Sequence, residues 1–345
     1  MTTNTKLLIV TQAVDQDDPV LGFIPSWLRE FSKDFGSLQV ICLKEGKHTL
    51  PPNVRIHSLG KESGESRTKY VVRFFRYVWN LRRDYDVVLV HMNQEYVLLG
   101  GWLWKLLGKR VYLWRNHYSG GRATDVAVSL CTKVFCTSKY SYTAKYAKTI
   151  LMPVGIDTEI FKVVGTSRKG SVLSIGRIAP SKRFEILVDA IGILTESGLQ
   201  LEAHIYGDAL PKDAQYEASL HMRTANARIE HLIQFHPGVR NTDTPALYGA
   251  HQLFVNCSES GMYDKTIFEA LACGALSVAS SRDYAEIAPP ELVFKENDAA
   301  DLAAKIEFLL ALQPSEKERL QKAGAIIAEK NSLKALGRRL VDEVH

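Results

Sequence analysis

Apolar residues in this chain fall into short, nearly unbroken runs, and the stretches between them carry a helical period. In the first half, runs at residues 6–10, 38–43, 54–59, 86–91, 110–114 and 133–138 predict strands, with helices over 25–35 and 96–107. The alternation restarts after residue 170, with strands expected at 172–176, 201–206, 229–235, 253–256, 276–279 and 291–294. Helices are expected there over 184–196, 215–225, 244–248, 300–311 and 316–329, and one more is expected to end at Gly274, since glycine tolerates a left-handed backbone. Strands that are apolar throughout, rather than alternating, belong to parallel sheets covered on both faces. Residues 153–161 read as the exit from a first domain and the polar run 165–170 as a linker, so two doubly wound α/β domains in tandem are expected. No short-period repeat is visible.

Composition changes this picture little. The chain has 345 residues, 46% hydrophobic and 23% charged, which suits a soluble globular protein with two cores. No window approaches the ~18 uncharged apolar residues of a membrane span, and the first residues run straight into a strand with no leader pattern. The five cysteines, Cys42, Cys131, Cys136, Cys257 and Cys273, are scattered in apolar context and read as reduced core residues of a cytoplasmic protein. Charge adds more. Residues 1–162 hold 23 lysines and arginines against 14 acids, whereas residues 163–345 hold 20 against 24. The basic excess lies in the first half, which points to an anionic partner or surface on that side.

Three stretches carry candidate chemistry. Phe254–Gly274 runs from an apolar strand through a Ser/Gly turn into a helix, with Asp264, Lys265 and Glu269 at or near the helix start. Free N–H groups and the helix dipole make such a start receptive to anions; the plain alternative is an ordinary strand–turn–helix unit. Gly176-Arg-Ile-Ala-Pro-Ser-Lys182 follows a strand and precedes a helix, so Arg177 and Lys182 read either as a pyrophosphate clamp or as two solvated cations at a strand end. Six cations between Arg67 and Arg83 interleave with Phe74, Phe75, Tyr77 and Trp79, which predicts a basic amphipathic helix over 67–83. A solvated basic face or an anionic lipid surface would explain it, while no motif supports nucleic acid. His91, Arg115 and His117 fall at expected strand ends, although a lone histidine is more often structural. No nucleophile elbow and no metal-spaced His/Cys set is present, and the first turn lacks Gly-x-Gly-x-x-Gly.

Taken in order, these pieces resemble the retaining GT-B glycosyltransferases, the bacterial group 1 or family 4 type that builds lipid-linked glycans and exopolysaccharides. Pro153-Val-Gly-Ile-Asp-Thr-Glu-Ile-Phe161 is similar to that family's Asn-Gly-Val-Asp-x-x-x-Phe element. Ser174–Lys182 is similar to its Gly-Arg-x-x-x-x-Lys element, Ile205-Tyr-Gly-Asp208 to its Gly-Asp/Glu-Gly turn, and Phe268–Gly274 to its Glu-Ala-Met-Ala-x-Gly helix. The resemblance implies two Rossmann-like domains, 1–162 on the acceptor side and 163–345 on the nucleotide-sugar side, with the last helix a candidate to cross back and the active site in the interdomain cleft. It implies a metal-independent hexosyltransferase with no cofactor, a UDP- or GDP-linked sugar as donor and a glycan or lipid-linked acceptor. A cytoplasmic location follows, peripheral on the membrane if the helix at 67–83 meets anionic lipid.

Carried over by residue, the resemblance puts Arg177 and Lys182 on the diphosphate, Glu269 on the ribose, Gly207 and Val239 near the base, His117 near the reacting sugar and Gly22 in the first loop. His91 and Arg115 are further candidates on the acceptor side. The family's sugar-binding glutamate, eight positions before the helix glutamate, is replaced here by Gly261. The donor turn therefore comprises Glu259, Gly261, Met262, Asp264 and Lys265, with Glu259 or Asp264 as the substitute carboxylate, or else backbone N–H groups recognising the sugar, and with Lys265 as an added charge. Two rivals stay open at this point: a nucleotide-sugar epimerase of the same architecture, and a catalytically silent nucleotide-sugar-binding subunit.

Overall fold

The computed structural model describes residues 3–163, 168–261 and 263–345. It divides into two compact units, Met1–Gly155 with Leu333–His345, and Ile156–Ser332.

The first unit is built on seven strands, β1 (Thr3–Val14), β2 (Phe35–Glu45), β3 (Val54–Ser58), β4 (Val87–His91), β5 (Arg110–Trp114), β6 (Lys133–Cys136) and β7 (Thr149–Leu151). They pair in the order β3-β2-β1-β4-β5-β6-β7, parallel throughout. Successive residues of a strand point to opposite faces, and here both faces are buried. Leu7, Ile9, Leu38, Val40 and Leu89 pack with Trp27 and Phe31 of α1 (Ile24–Phe31) and with Leu336 and Leu340 of the last helix, α12 (Leu333–Val344). Leu8, Val10, Val88, Val90 and Val111 pack on the other side with Phe74 and Val78 of α2 (Arg67–Asn80) and with Val97 and Trp104 of α3 (Gln94–Leu106). A fourth helix, α4 (Arg122–Leu130), adds Ala127 and Val128 to that layer. The last helix is fastened by more than packing. Lys133 Nζ meets Glu343 Oε2 at 2.7 Å, and the Leu336 side chain fills the space beside Gly155, where φ is +76° and a Cβ would stand 2.3 Å from Leu336 Cδ2.

The second unit holds five parallel strands, β8 (Arg168–Ile175), β9 (Glu202–Tyr206), β10 (Ile233–His236), β11 (His251–Asn256) and β12 (Leu276–Ala279), in the order β10-β9-β8-β11-β12. Its helices are α5 (Phe184–Glu196), α6 (Ala214–Asn226), α7 (Thr244–Ala250), α8 (Lys265–Ala272), α9 (Arg282–Ala285), α10 (Ala299–Ala311) and α11 (Pro314–Lys330). Strand order reverses between β8 and β11. Ligands of such sheets bind at the carboxyl ends of the strands beside the reversal, and the turns after β8 and β11 are the two singled out by their residues.

Several expectations change in detail. The unit boundary lies at Gly155/Ile156 instead of 162/163, and residues 333–345 join the first unit, because α12 buries Leu333, Leu336, Leu340 and Val344 in that unit's core. The basic helix stops at Asn80, leaving Arg82 and Arg83 in the turn that follows. Part of the expected linker is strand, since β8 begins at Arg168; residues 164–167 lie outside the described residues. The expected strand at 291–294 is a 3-10 turn, Pro290–Leu292, followed by a single bridge from Val293 to Ala279.

Candidate functional site

The second unit brings the two turns together. After β8 the chain leaves at Gly176, passes Arg177, makes a 3-10 turn over Pro180–Lys182 and enters α5 through Arg183, whose φ of +49° turns the chain into the helix. After β11 it passes Cys257 and Ser258, turns at Gly261 with φ +92° and enters α8 at Asp264. Three links join the turns. Lys182 Nζ pairs with Asp264 Oδ2, Arg183 pairs with Glu259, and Glu259 N donates to Ser181 O at 3.4 Å. Lys182 and Asp264 are only 16% and 17% exposed.

Asp264 Oδ2 also accepts from Asn256 Nδ2 at 3.0 Å and from Ser258 Oγ at 2.5 Å. Burial alone would raise this carboxyl; the Lys182 ammonium and the hydrogen bonds from Asn256 and Ser258 outweigh it and hold the group below its ordinary value of 3.8. Both candidate substitutes for the missing glutamate are thus engaged by cations, Asp264 by Lys182 of the 3-10 turn and Glu259 by Arg183 just after it. At Gly261 the left-handed backbone explains the residue type, because side-chain-bearing residues rarely adopt it. Behind the turn, Ser260 donates from its backbone N and its Oγ to Glu296 Oε1, at 3.0 and 2.5 Å. Met262 lies outside the described residues.

Glu269 sits one turn into α8, 3% exposed. Asn241 Nδ2 donates to its Oε1 and Tyr248 OH to its Oε2, each at 3.0 Å. Burial pushes the carboxyl up, opposed by Asn241, by the Lys265 charge one turn earlier and by Tyr248. Lys265 itself is pushed down by burial, with Glu269 opposing. A carboxylate holds about four lone-pair positions, so two donors orient Glu269 and still leave capacity for ligand hydroxyls.

Gly207 approaches the backbone of Gly176 so closely that a Cβ on it would lie 1.9 Å from Gly176 O. The neighbouring strand ends are bound by Gly176 N to Tyr206 O and Gly207 N to His236 O, each 3.0 Å. Asp208 Oδ1 accepts from Gly238 N at 3.1 Å, next to the half-buried Val239. Arg177 is exposed, and among the described residues its guanidinium has no ion-pair partner.

The first unit carries the remaining candidates at its own carboxyl edge. His117 Nδ1 accepts from Ser119 N at 3.0 Å, which puts the ring proton of the neutral imidazole on Nε2. Its ring stacks on Tyr118 with centroids 4.6 Å apart. Arg115 spans Gln94 Oε1 at 2.9 Å and Ser119 O at 3.0 Å, and burial lowers its pKa. His91 is 4% exposed, beside Thr11 Oγ1 at 3.3 Å and edge-on to Phe23 and Trp27, so it is a core histidine and not a surface group. Gly22 is buried in the loop before α1, its N–H on Asp18 O at 3.0 Å. Residue patterns missed Arg183, Asn241, Tyr248, Asn256 and Ser258. Each acts through a partner 6 to 76 residues away in sequence, so no local spacing marks it. Among the described residues no cluster of three or more His, Cys, Asp or Glu is arranged to hold a metal.

Comparison with known proteins bears on this unit first. The family model described as glycosyl transferases group 1 matches residues 169–311. Mannosylfructose-phosphate synthase of Agrobacterium fabrum is 29% identical over 112 residues, 32% of this chain. That match spans a quarter of the relative's length. Among solved structures, Anabaena HepE in complex with UDP and glucose has a TM-score of 0.78 at 18% identity, over 99% of both chains. Sucrose-phosphate synthase from Thermosynechococcus elongatus has a TM-score of 0.78 at 16% identity, over 98% of both. The chain has the GT-B fold, and residues 169–311, all within its second unit, are similar to the group 1 glycosyl transferases.

Proposed function

We propose that the protein is a retaining glycosyltransferase that moves a hexose from a UDP- or GDP-linked donor to a hydroxyl of a glycan or lipid-linked acceptor, with no metal step. One observation carries the reading: the Lys182–Asp264 pair joins the turn after β8 to the start of α8, the helix of Glu269, beside the strand-order reversal. In this reading Arg177 and Lys182 hold the diphosphate. When the anomeric C–O bond breaks, negative charge grows on the leaving phosphate, and preorganised cations stabilise it without solvent reorganisation. Glu269, already oriented by Asn241 and Tyr248, accepts from the ribose hydroxyls. The base lies by Gly207 and Val239, and the sugar by the turn Glu259–Lys265, including Met262. His117 donates from Nε2–H to an oxygen of the sugar, Gly22 leaves room in its loop, and Arg115 orders the His117 loop through Ser119.

The test is a panel of nucleotide-sugars with and without glycan, lipid-linked and sugar-phosphate acceptors; the last are included because two relatives are named as sugar-phosphate synthases. Nucleotide release only with acceptor, and a product that keeps the donor's anomeric configuration, are expected. Arg177→Ala and Lys182→Ala should each lower kcat/KM at least tenfold, a loss of about 1.4 kcal/mol in transition-state stabilisation. Release without acceptor would favour an epimerase, and binding without turnover on any sugar a silent subunit.

The same reading places the first unit against anionic lipid. Trp79 and Val72 on α2 are 51% and 67% exposed, and Trp102 and Leu106 on α3 are 51% and 77% exposed. Phe75 and Trp102 stand 6.4 Å apart, which makes these one apolar surface, and Arg82 lies over the Trp79 ring. Tryptophans flanked by cations suit a lipid interface, each nearby cation adding on the order of 1 kcal/mol. Among the described residues no helix is long and apolar enough to cross a membrane. Flotation with anionic but not neutral vesicles is expected; sedimentation with both would remove this part of the proposal.

A further inference from the structure

The donor turn holds an anion of its own. Asp264 is the N-cap residue of α8, the position at which an aspartate ordinarily accepts from the helix's first free N–H groups. Its side chain makes no such bond. Oδ2 instead collects Lys182 Nζ, Asn256 Nδ2 and Ser258 Oγ, all donors. The strand-order reversal and the helix start would serve a phosphate oxygen in the same way. The second carboxylate of the turn, Glu259, is held by Arg183. Lys182 and the following Arg183 are therefore both paired inside the protein, whereas Arg177, upstream of them, is exposed.

We infer that Asp264 is an internal competitor of the donor's diphosphate for Lys182, and so sets the affinity of the site for nucleoside diphosphates. This rests on the reading of Lys182 as a phosphate ligand. A diphosphate entering the site meets Arg177 first. It then draws Lys182 away from Asp264, or shares it while lying beside a like charge, and both routes weaken binding. The depressed pKa of Asp264 agrees with a carboxylate that stays ionised at neutral pH. Exchange leaves Asp264 on Asn256 and Ser258, so the carboxylate is still hydrogen-bonded once the ammonium has moved.

The assignment differs from one in which Asp264 binds the sugar, and titration calorimetry separates the two. UDP, GDP and the free nucleosides uridine and guanosine are titrated into the wild type, Asp264→Asn and Asp264→Ser. The serine variant keeps a good N-cap residue without the charge. UDP or GDP is expected to bind both variants at least threefold more tightly than the wild type, with nucleoside binding unchanged. In a Lys182→Gln background, Asp264→Asn should bring no gain. Weaker or equal diphosphate binding in both variants, or an equal gain for nucleosides, overturns the inference. Failure of the wild type and both variants to bind any diphosphate would instead overturn the donor-site reading beneath it.

Discussion

At the scale of residues, the candidate site is a set of paired charges whose behaviour follows from their partners. Asp264 is held below its ordinary value of 3.8, so ionisation favours the folded state. Its contribution is present above that value and is lost as pH falls through the lower folded pKa. Asp264→Asn should therefore cost about 1–3 kcal/mol of unfolding free energy at pH 7, the usual worth of a hydrogen bond to a charged group. The difference from wild type should shrink below pH 4. Denaturant melts of both proteins at pH 7 and pH 3 check this, and a pH-independent difference would mean that packing, not charge, is lost. Glu269 lies at the opposite limit. Burial raises its carboxyl while Asn241, Lys265 and Tyr248 oppose, so its role depends on neighbours no motif names.

At the scale of elements, the strand ends fix where the site residues sit. The turn after β8 is set against the end of β9 by the contact between Gly176 and Gly207, where only glycine fits. Gly207→Ala should displace this junction and cost about 1–3 kcal/mol, as overpacking does elsewhere. A lowered Tm together with weakened diphosphate binding is the expected result; an unchanged Tm would show that the junction yields freely. Most strands were legible because parallel, doubly covered strands are apolar throughout, as in β4 and β11. The three-residue β7 was not, being too short for any period to register. The basic pattern at 67–83 overshoots the helix because it continues through Arg82 and Arg83 after the backbone has left the helix. Arg177, Lys182 and Glu269 could be found from motif spacing. Arg183 and Asn241 could not, since their significance comes from Glu259 and Glu269, distant in sequence.

At the scale of the whole molecule, the chain is two sheet units with different charge. The last helix belongs to the first unit, a long-range return that the helical period over 333–344 cannot reveal. The basic excess of residues 1–162 lies on the unit that carries α2, and the acidic balance lies on the unit that carries the proposed donor site. In the proposed function Arg177 and Lys182, both in the turn after β8, would supply the positive charge that the unit's net charge does not. The proposed function requires that the turns after β8 and β11 bind a nucleoside diphosphate through Lys182. Titration calorimetry of UDP and GDP into the wild type and Lys182→Ala tests it most directly. One of the two nucleotides should bind the wild type and bind the variant at least tenfold more weakly, whereas equal binding to both proteins, or none to either, would contradict the account.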